Sequence, residues 1–168
     1  MSVWRQPDPT TCGPCCVLRA RMLVDPAYDA AVRADPRRFA ADALALAPRL
    51  RTVWPRALGT TPWALADALG EVTGRAYEVD WVGRGATARA AAWEVLSTRV
   101  SAGALVGVYV GSPALPRHIV LAHAVRGDAV VVYEPGSGAD RPASREAFVR
   151  DRLPWGWPHP WALVAPAS

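Results

Sequence analysis

The chain has 168 residues, 51% hydrophobic, 20% charged and 8% aromatic, which excludes a disordered segment and several large domains and leaves a single domain over 1–168. No run reaches the ~20 apolar residues of a membrane helix, and the N-terminal MSVWRQPDPTTCGPCC lacks the apolar stretch of a signal peptide, so a cytoplasmic protein with no membrane role is expected. The net charge of +4 is carried entirely by arginines spread from Arg5 to Arg152, with no dense cluster and no interleaved aromatic platform; this reads as a GC-rich coding bias and not as a nucleic-acid surface.

In chain order, a first helix is expected from Cys12 to about Val24, with Thr10 and Thr11 as capping candidates and Pro14 where the first turn tolerates it. A second runs from Asp35 to about Leu50, and a third from Thr61 to about Thr73, where threonine precedes proline and an apolar stripe. Tyr77 to Val82 reads as a short strand, and an alanine-rich helix follows from about Thr87 to Val100. Beyond Gly103 the chain turns valine-rich: strands are expected at 104–111, 118–125, 129–135 and 161–166, with one short helix from Ser144 to Arg152. Helices over about 10–100 followed by a strand meander over about 104–168 read as α+β with an antiparallel sheet.

The three cysteines, Cys12, Cys15 and Cys16, lie within five residues and cannot staple distant parts of the chain, so a secreted disulfide scaffold is excluded. CGPC matches a dithiol redox motif, but that motif follows a strand in a βαβ unit, and only eleven residues, two of them proline, precede Cys12. A zinc site lacks ligand pairs at a recognisable spacing, and no metal or cofactor is expected. Cys15 and Cys16 read as small core residues. Cys12 differs, because a thiolate in the first turn of a helix is stabilised by the dipole and by free N–H groups. Gln6, the only glutamine, stands six residues earlier on an extended, proline-rich segment. Its side-chain amide is placed to donate to an oxyanion beside the Cys12 N–H.

A thiolate nucleophile needs an imidazole, and the imidazole needs an orienting acceptor. His118 opens the strand HIVLAHAV, and Arg126-Gly127-Asp128 leads into AVVVYEPGSG. A three-residue loop pairs Val120 with Glu134 and puts His118 and Glu134 on one face as diagonal neighbours, near 7–8 Å apart at the backbone. A two-residue loop reverses the parity and sends Glu134 to the other face. In the first register His123 faces away and is structural; His159, in a proline-rich approach to the last strand, is also read as structural.

QPDPTTCGPCC, RHIVLAHAV, VVYEPGSG and the terminal WALVAP together resemble the bacteriocin-processing double-glycine leader peptidases (cysteine peptidase family thirty-nine) and their stand-alone bacterial relatives. The resemblance implies a papain-like fold with Cys12 as nucleophile, His118 as base and Gln6 as oxyanion donor. The family's acid is an aspartate followed by proline; Glu134-Pro135 occupies that place with one methylene more. The chain carries no asparagine, so an asparagine in this role is excluded. The reading is a thiol hydrolase acting on a peptide or amide bond through a thioester, without cofactor, and the short segment before Cys12 argues against a secreted zymogen. Acyl transfer, cyclisation or deamidation at the same site, a non-catalytic peptide-binding module and a dithiol redox protein are the alternatives; oligomeric state is open.

Overall fold

The computed structural model describes residues 4–51 and 59–167. Four helices come first: α1 (Cys12–Val24), α2 (Pro26–Ala34), α3 (Arg37–Leu50) and α4 (Pro62–Thr73). Then follow β1 (Tyr77–Trp81), α5 (Ala86–Ser101), β2 (Val106–Ser112), β3 (Leu115–Arg126), β4 (Ala129–Glu134), β5 (Ala139–Ser144), α6 (Arg145–Val149) and β6 (His159–Pro166). The six strands form one antiparallel sheet in the order β1-β6-β2-β3-β4-β5. The α+β reading of the sequence holds at this level. The sheet is not confined to the second half, however: β1, from within the helical half, forms its outer edge beside β6.

Both faces of the sheet are covered, which is why the central strands read as continuous apolar runs. Tyr109, Ile119, Leu121, Tyr133, Ala162 and Val164 face the core shared with α1 to α4. Val108, Val110, Val120, Val132, Leu163 and Ala165 face the opposite core with α5 and α6. α1 is the innermost helix, packed on β3 with α3 and α4 against its outer side, and it is buried over most of its length.

Local chemistry explains the boundaries. Thr61 caps α4 by accepting from Ala64 N at 3.1 Å, with Pro62 in the first turn, as the sequence indicates. α2 and β5 were not anticipated. The signal for α2 is nonetheless present: Asp25 accepts from Tyr28 N at 3.0 Å ahead of Pro26. β5, ADRPAS, has no β-branched residue and contains Pro142, which a sheet accepts only at an edge, where this strand lies. α6 is shorter than expected, capped by Ser144 and closed before Asp151, whose φ is +54°.

The β3–β4 hairpin corrects one expectation. Arg126 pairs with Ala129, so the loop has two residues, Gly127 and Asp128, and not three. Gly127 has φ +63°, the positive first position of a type II′ turn, which matches the twist of the strands it joins. The parity lost at the turn is regained downstream. The register shifts between Ala122 and Ala124, so His123 is an extra, bulged residue, and Leu121 pairs with Tyr133. One step further on, that register sets Val120 opposite Glu134, as the longer loop would have done.

A Cβ on Gly127 meets nothing within 4 Å, so a substitution there tests the backbone alone. Gly127→Ala is expected to lower stability by about 1–2 kcal/mol, read as a lower urea midpoint at unchanged slope.

Candidate active site

Three of the four residues singled out in the sequence meet where the start of α1 reaches the end of the β3–β4 hairpin. His118 Nε2 lies 2.8 Å from Glu134 Oε1, and both residues are buried. Glu134 is also held by its own turn: Gly136 N donates to Oε1 at 2.7 Å and Ser137 N donates to Oε2 at 2.7 Å. Burial by itself would raise the carboxyl's pKa, but the hydrogen bonds from His118, Ser137 and Gly136 outweigh it and bring it down to about 2. An ionised carboxylate only accepts, so Nε2 of His118 carries the proton. That fixes the neutral tautomer and leaves Nδ1 as the nitrogen open to Cys12.

Cys12 opens α1 and interacts with the imidazole. Burial would lower the pKa of His118, yet its interactions with the Cys12 thiol and with Glu134 prevail and raise it to about 9. The helix start is well suited to a negative charge. Thr11 occupies the N-cap position without capping: its hydroxyl turns back to Asp8 O at 3.0 Å. Pro14 has no N–H, and the first helical bond runs from Cys15 N to Thr11 O at 3.0 Å. No side-chain cap therefore covers the Cys12 and Gly13 N–H groups.

The helix start is held in register by a residue pair that the sequence did not reveal. Tyr109 Oη donates to Thr60 O at 2.9 Å, and a Cβ built on Gly13 would stand 2.2 Å from Thr60 Oγ1. Only glycine lets the threonine pack this closely on the first turn. Cys15 and Cys16 face the core: both are fully buried, Cys16 Sγ donates to Ile119 O at 3.5 Å, and burial pushes both thiols well up, away from thiolate chemistry. A Cys12–Cys15 redox pair thus lacks a reactive second thiol.

Gln6 sits beside this centre but is engaged locally. Its backbone N donates to Pro135 O at 2.9 Å, which ties the segment to the Glu134 turn, and its Nε2 donates to Asp8 O at 3.0 Å. Among the described residues this is the amide's one donated hydrogen bond, which leaves its second N–H over. The segment is anchored further back by Trp4, whose carbonyl accepts from Tyr133 Oη and whose ring centroid lies 5.2 and 4.9 Å from the guanidinium groups of Arg19 and Arg33. A groove of about 440 Å³ runs along Arg5, Gln6, Pro7, Asp8, Pro9 and Gly136, next to both Gln6 and the carboxylate's turn.

Trp157 completes the surroundings, its ring 6.5 Å from that of His118 and tilted by 30°. Nothing in the sequence marked it, because it comes from the loop before β6. Gly136 and Ser137 were legible in principle, since a small Gly-Ser-Gly turn just past Glu134-Pro135 is what allows the carboxylate to fold back; a Cβ on Gly136 would lie 2.8 Å from Oε1. The other two histidines are apart from the centre. His123 Nε2 is 3.1 Å from Asp140 Oδ1, and His159 Nδ1 is 3.0 Å from Asp151 Oδ1. Among the described residues no cluster of three or more His, Cys, Asp or Glu is arranged to hold a metal ion, and no helix is long and apolar enough to cross a membrane.

No protein-family model and no curated protein matches the sequence. Among solved structures, the chain is similar to the crystal structure of the Pseudomonas avirulence protein AvrPphB, with 11% sequence identity, a TM-score of 0.47, and coverage of 91% of this chain and 89% of that one. What the site can do follows from its own atoms.

The pair has a definite pH signature. A histidine raised from 6.5 to about 9 contributes stability fully below pH 6.5, and that contribution is lost as pH rises through 9; a carboxyl lowered from 4.5 to about 2 contributes above pH 4.5 and loses its contribution as pH falls through 2. The folded chain is expected to show His118 titrating near 9 by NMR. Glu134→Gln should shift that value down and flatten the alkaline fall in stability between pH 6.5 and 9. An unchanged His118 titration in the variant would remove the carboxylate from this role.

Proposed function

We propose that the chain is a papain-like cysteine hydrolase that cleaves a peptide or amide bond through a thioester on Cys12. The observation that carries this is the His118 Nε2–Glu134 Oε1 bond of 2.8 Å, which protonates the far nitrogen of the ring and turns the near one toward the thiol. The likeness in order and type to the leader peptidases (glutamine, cysteine opening a helix, histidine, acid before proline) supports the same reading.

In this mechanism the proton of Cys12 Sγ already rests on His118 Nδ1 below about pH 9, where the ring is an imidazolium, and the sulfur attacks the carbonyl carbon. The oxyanion forms at the uncapped start of α1, where the Cys12 N–H donates to it. The free N–H of the Gln6 amide is the second donor, reached by a small movement of a side chain whose other N–H stays on Asp8 O. As the tetrahedral intermediate collapses, the imidazolium gives its proton to the leaving amine and the C–N bond breaks. Water entering the vacated side loses a proton to His118, attacks the thioester and releases the acid, and the thiol is restored. Glu134 remains ionised throughout; it holds the tautomer and stabilises the imidazolium, as the acid of a serine triad does. The groove along residues 5–9 gives the substrate a place beside Gln6. An amine in place of water would make the same site an acyltransferase.

Cys12→Ala is expected to abolish turnover and to remove the fast reaction with iodoacetamide at neutral pH, whereas Cys15→Ala and Cys16→Ala should keep both at some cost in stability. Normal turnover in Cys12→Ala would sink the mechanism. Gln6→Ala should lower kcat by about 10²–10³ with little change in unfolding midpoint, the cost of one oxyanion donor. The alkaline limb of kcat/KM should fall near pH 9, because the proton that the leaving amine requires is lost there.

A further inference from the structure

The outer edge of the sheet carries a set of features that the reaction does not use. β1 is an edge strand, and the bonds Val82 N to Trp161 O and Ala167 N to Ala76 O fix which of its backbone groups face β6. By alternation, the N–H and C=O groups of Tyr77, Val79 and Trp81 point outward, to the open side. Edges of this kind are usually blunted by lysine, proline or a covering element. Here the strand reads YEVDW, and its flank bears two tryptophans, Trp63 and Trp81, each 54% exposed and in edge-to-face contact at 6.4 Å.

A cleft of about 460 Å³, which Trp81 also borders, opens between β1 and α5. Its floor is Ala88, Ala91, Ala92 and Val95 of α5 with Leu163 of β6, and its rim holds Glu78, Asp80 and Arg99. Two carboxylates face one guanidinium, so the cleft is net negative on a chain that is otherwise basic. Both carboxylate residues are exposed.

We propose that this edge docks an extended segment of a partner protein carrying arginine or lysine at alternate positions. Its backbone would complete the ladder on Tyr77, Val79 and Trp81. Side chains on one face would lay their aliphatic stems on the alanine floor and their charged heads on Glu78 and Asp80. Those on the other face, the apolar residues at the intervening positions, would pack on the tryptophans. Charge also argues against a second copy of this chain as the occupant. Two β1 strands pairing antiparallel about Val79 would set Glu78 directly opposite Asp80 twice, a repulsive arrangement. β6 and β2 separate the edge from the strand that bears His118, so docking here would leave the Cys12 centre open.

The test uses the full chain with Cys12→Ala, so that its result is independent of any hydrolysis. A fluorescein-labelled peptide alternating arginine and valine is titrated by anisotropy against the same peptide with glutamate in place of arginine. The arginine peptide is expected to bind, the glutamate peptide at least about tenfold more weakly, and the affinity to fall as salt is raised. Glu78→Gln with Asp80→Asn, both exposed positions, should weaken binding by about tenfold or more. Val79→Pro, which removes an outward N–H and no bond to β6, should weaken it as well. Hydrogen exchange should slow at the amides of Tyr77, Val79 and Trp81 when the peptide is present. Equal binding of the two peptides, indifference to the double variant, protection located at the Cys12 groove, or protection of β1 by self-association without peptide would each overturn the proposal.

Discussion

The candidate site depends on keeping one carboxylate ionised inside the protein. Burying a charge without partners is far more costly than any single packing interaction can offset. Glu134 is nevertheless held near a pKa of 2, because it accepts from two N–H groups of its own turn as well as from the imidazole. The turn residues Gly136 and Ser137 thus satisfy most of the carboxylate before His118 takes part. His118 then meets a fixed acceptor, its tautomer is set, and the ring's second nitrogen is committed to the thiol. Loss of the turn bonds would leave a buried anion whose cheapest response is to take up a proton, and a protonated carboxyl no longer defines the tautomer.

Cys12 is positioned by a different means. Cys12 has no strong polar anchor of its own; its position is that of the helix that carries it. α1 lies between the sheet and two other helices, with Cys15 and Cys16 packed beneath it, and Thr60, held by Tyr109, bears on Gly13 at its first turn. A rigid helix placed by packing and a histidine placed by hydrogen bonds are brought together at the same point. The side chain that usually caps a helix is diverted, since Thr11 bonds back to Asp8. The uncapped N–H groups represent forgone helix stability, of the order of 1 kcal/mol for a typical cap, and they are what an oxyanion needs.

The sequence made α1, α4 and the central strands legible because each combines a local signal with strong patterning: Thr-Pro before an apolar stripe, or valine runs bounded by glycine and aspartate. The grouping of Cys12 with the His118–Glu134 pair was legible for a related reason, since cysteine and histidine are scarce in this chain. With one glutamine and three histidines, few combinations exist. What stayed hidden depends on distance along the chain. Thr60 meets Gly13, Tyr109 meets Thr60, and Trp157 meets His118 across tens of residues, and none of these contacts leaves a local trace. β5 was missed for a third reason. An edge strand answers to the backbone of its neighbour and not to its own propensity, so a proline-bearing, polar segment can serve.

The hairpin shows why a correct pairing can follow from an incorrect turn. Side-chain direction on a strand depends only on whether the number of residues between two points is odd or even. A three-residue loop with a regular ladder and a two-residue loop with one bulged residue both bring Val120 opposite Glu134. The glycine at 127 favours the tight turn, and the parity it removes is returned at His123. The bulge therefore lies between the turn and the site, where it also increases the local twist of β3 just before the strand delivers His118. The longer acid fits the same geometry. Glu134 must reach both the diagonal imidazole and the N–H groups two and three residues ahead in its own turn. The additional methylene, compared with an aspartate, gives one carboxylate the span to do both.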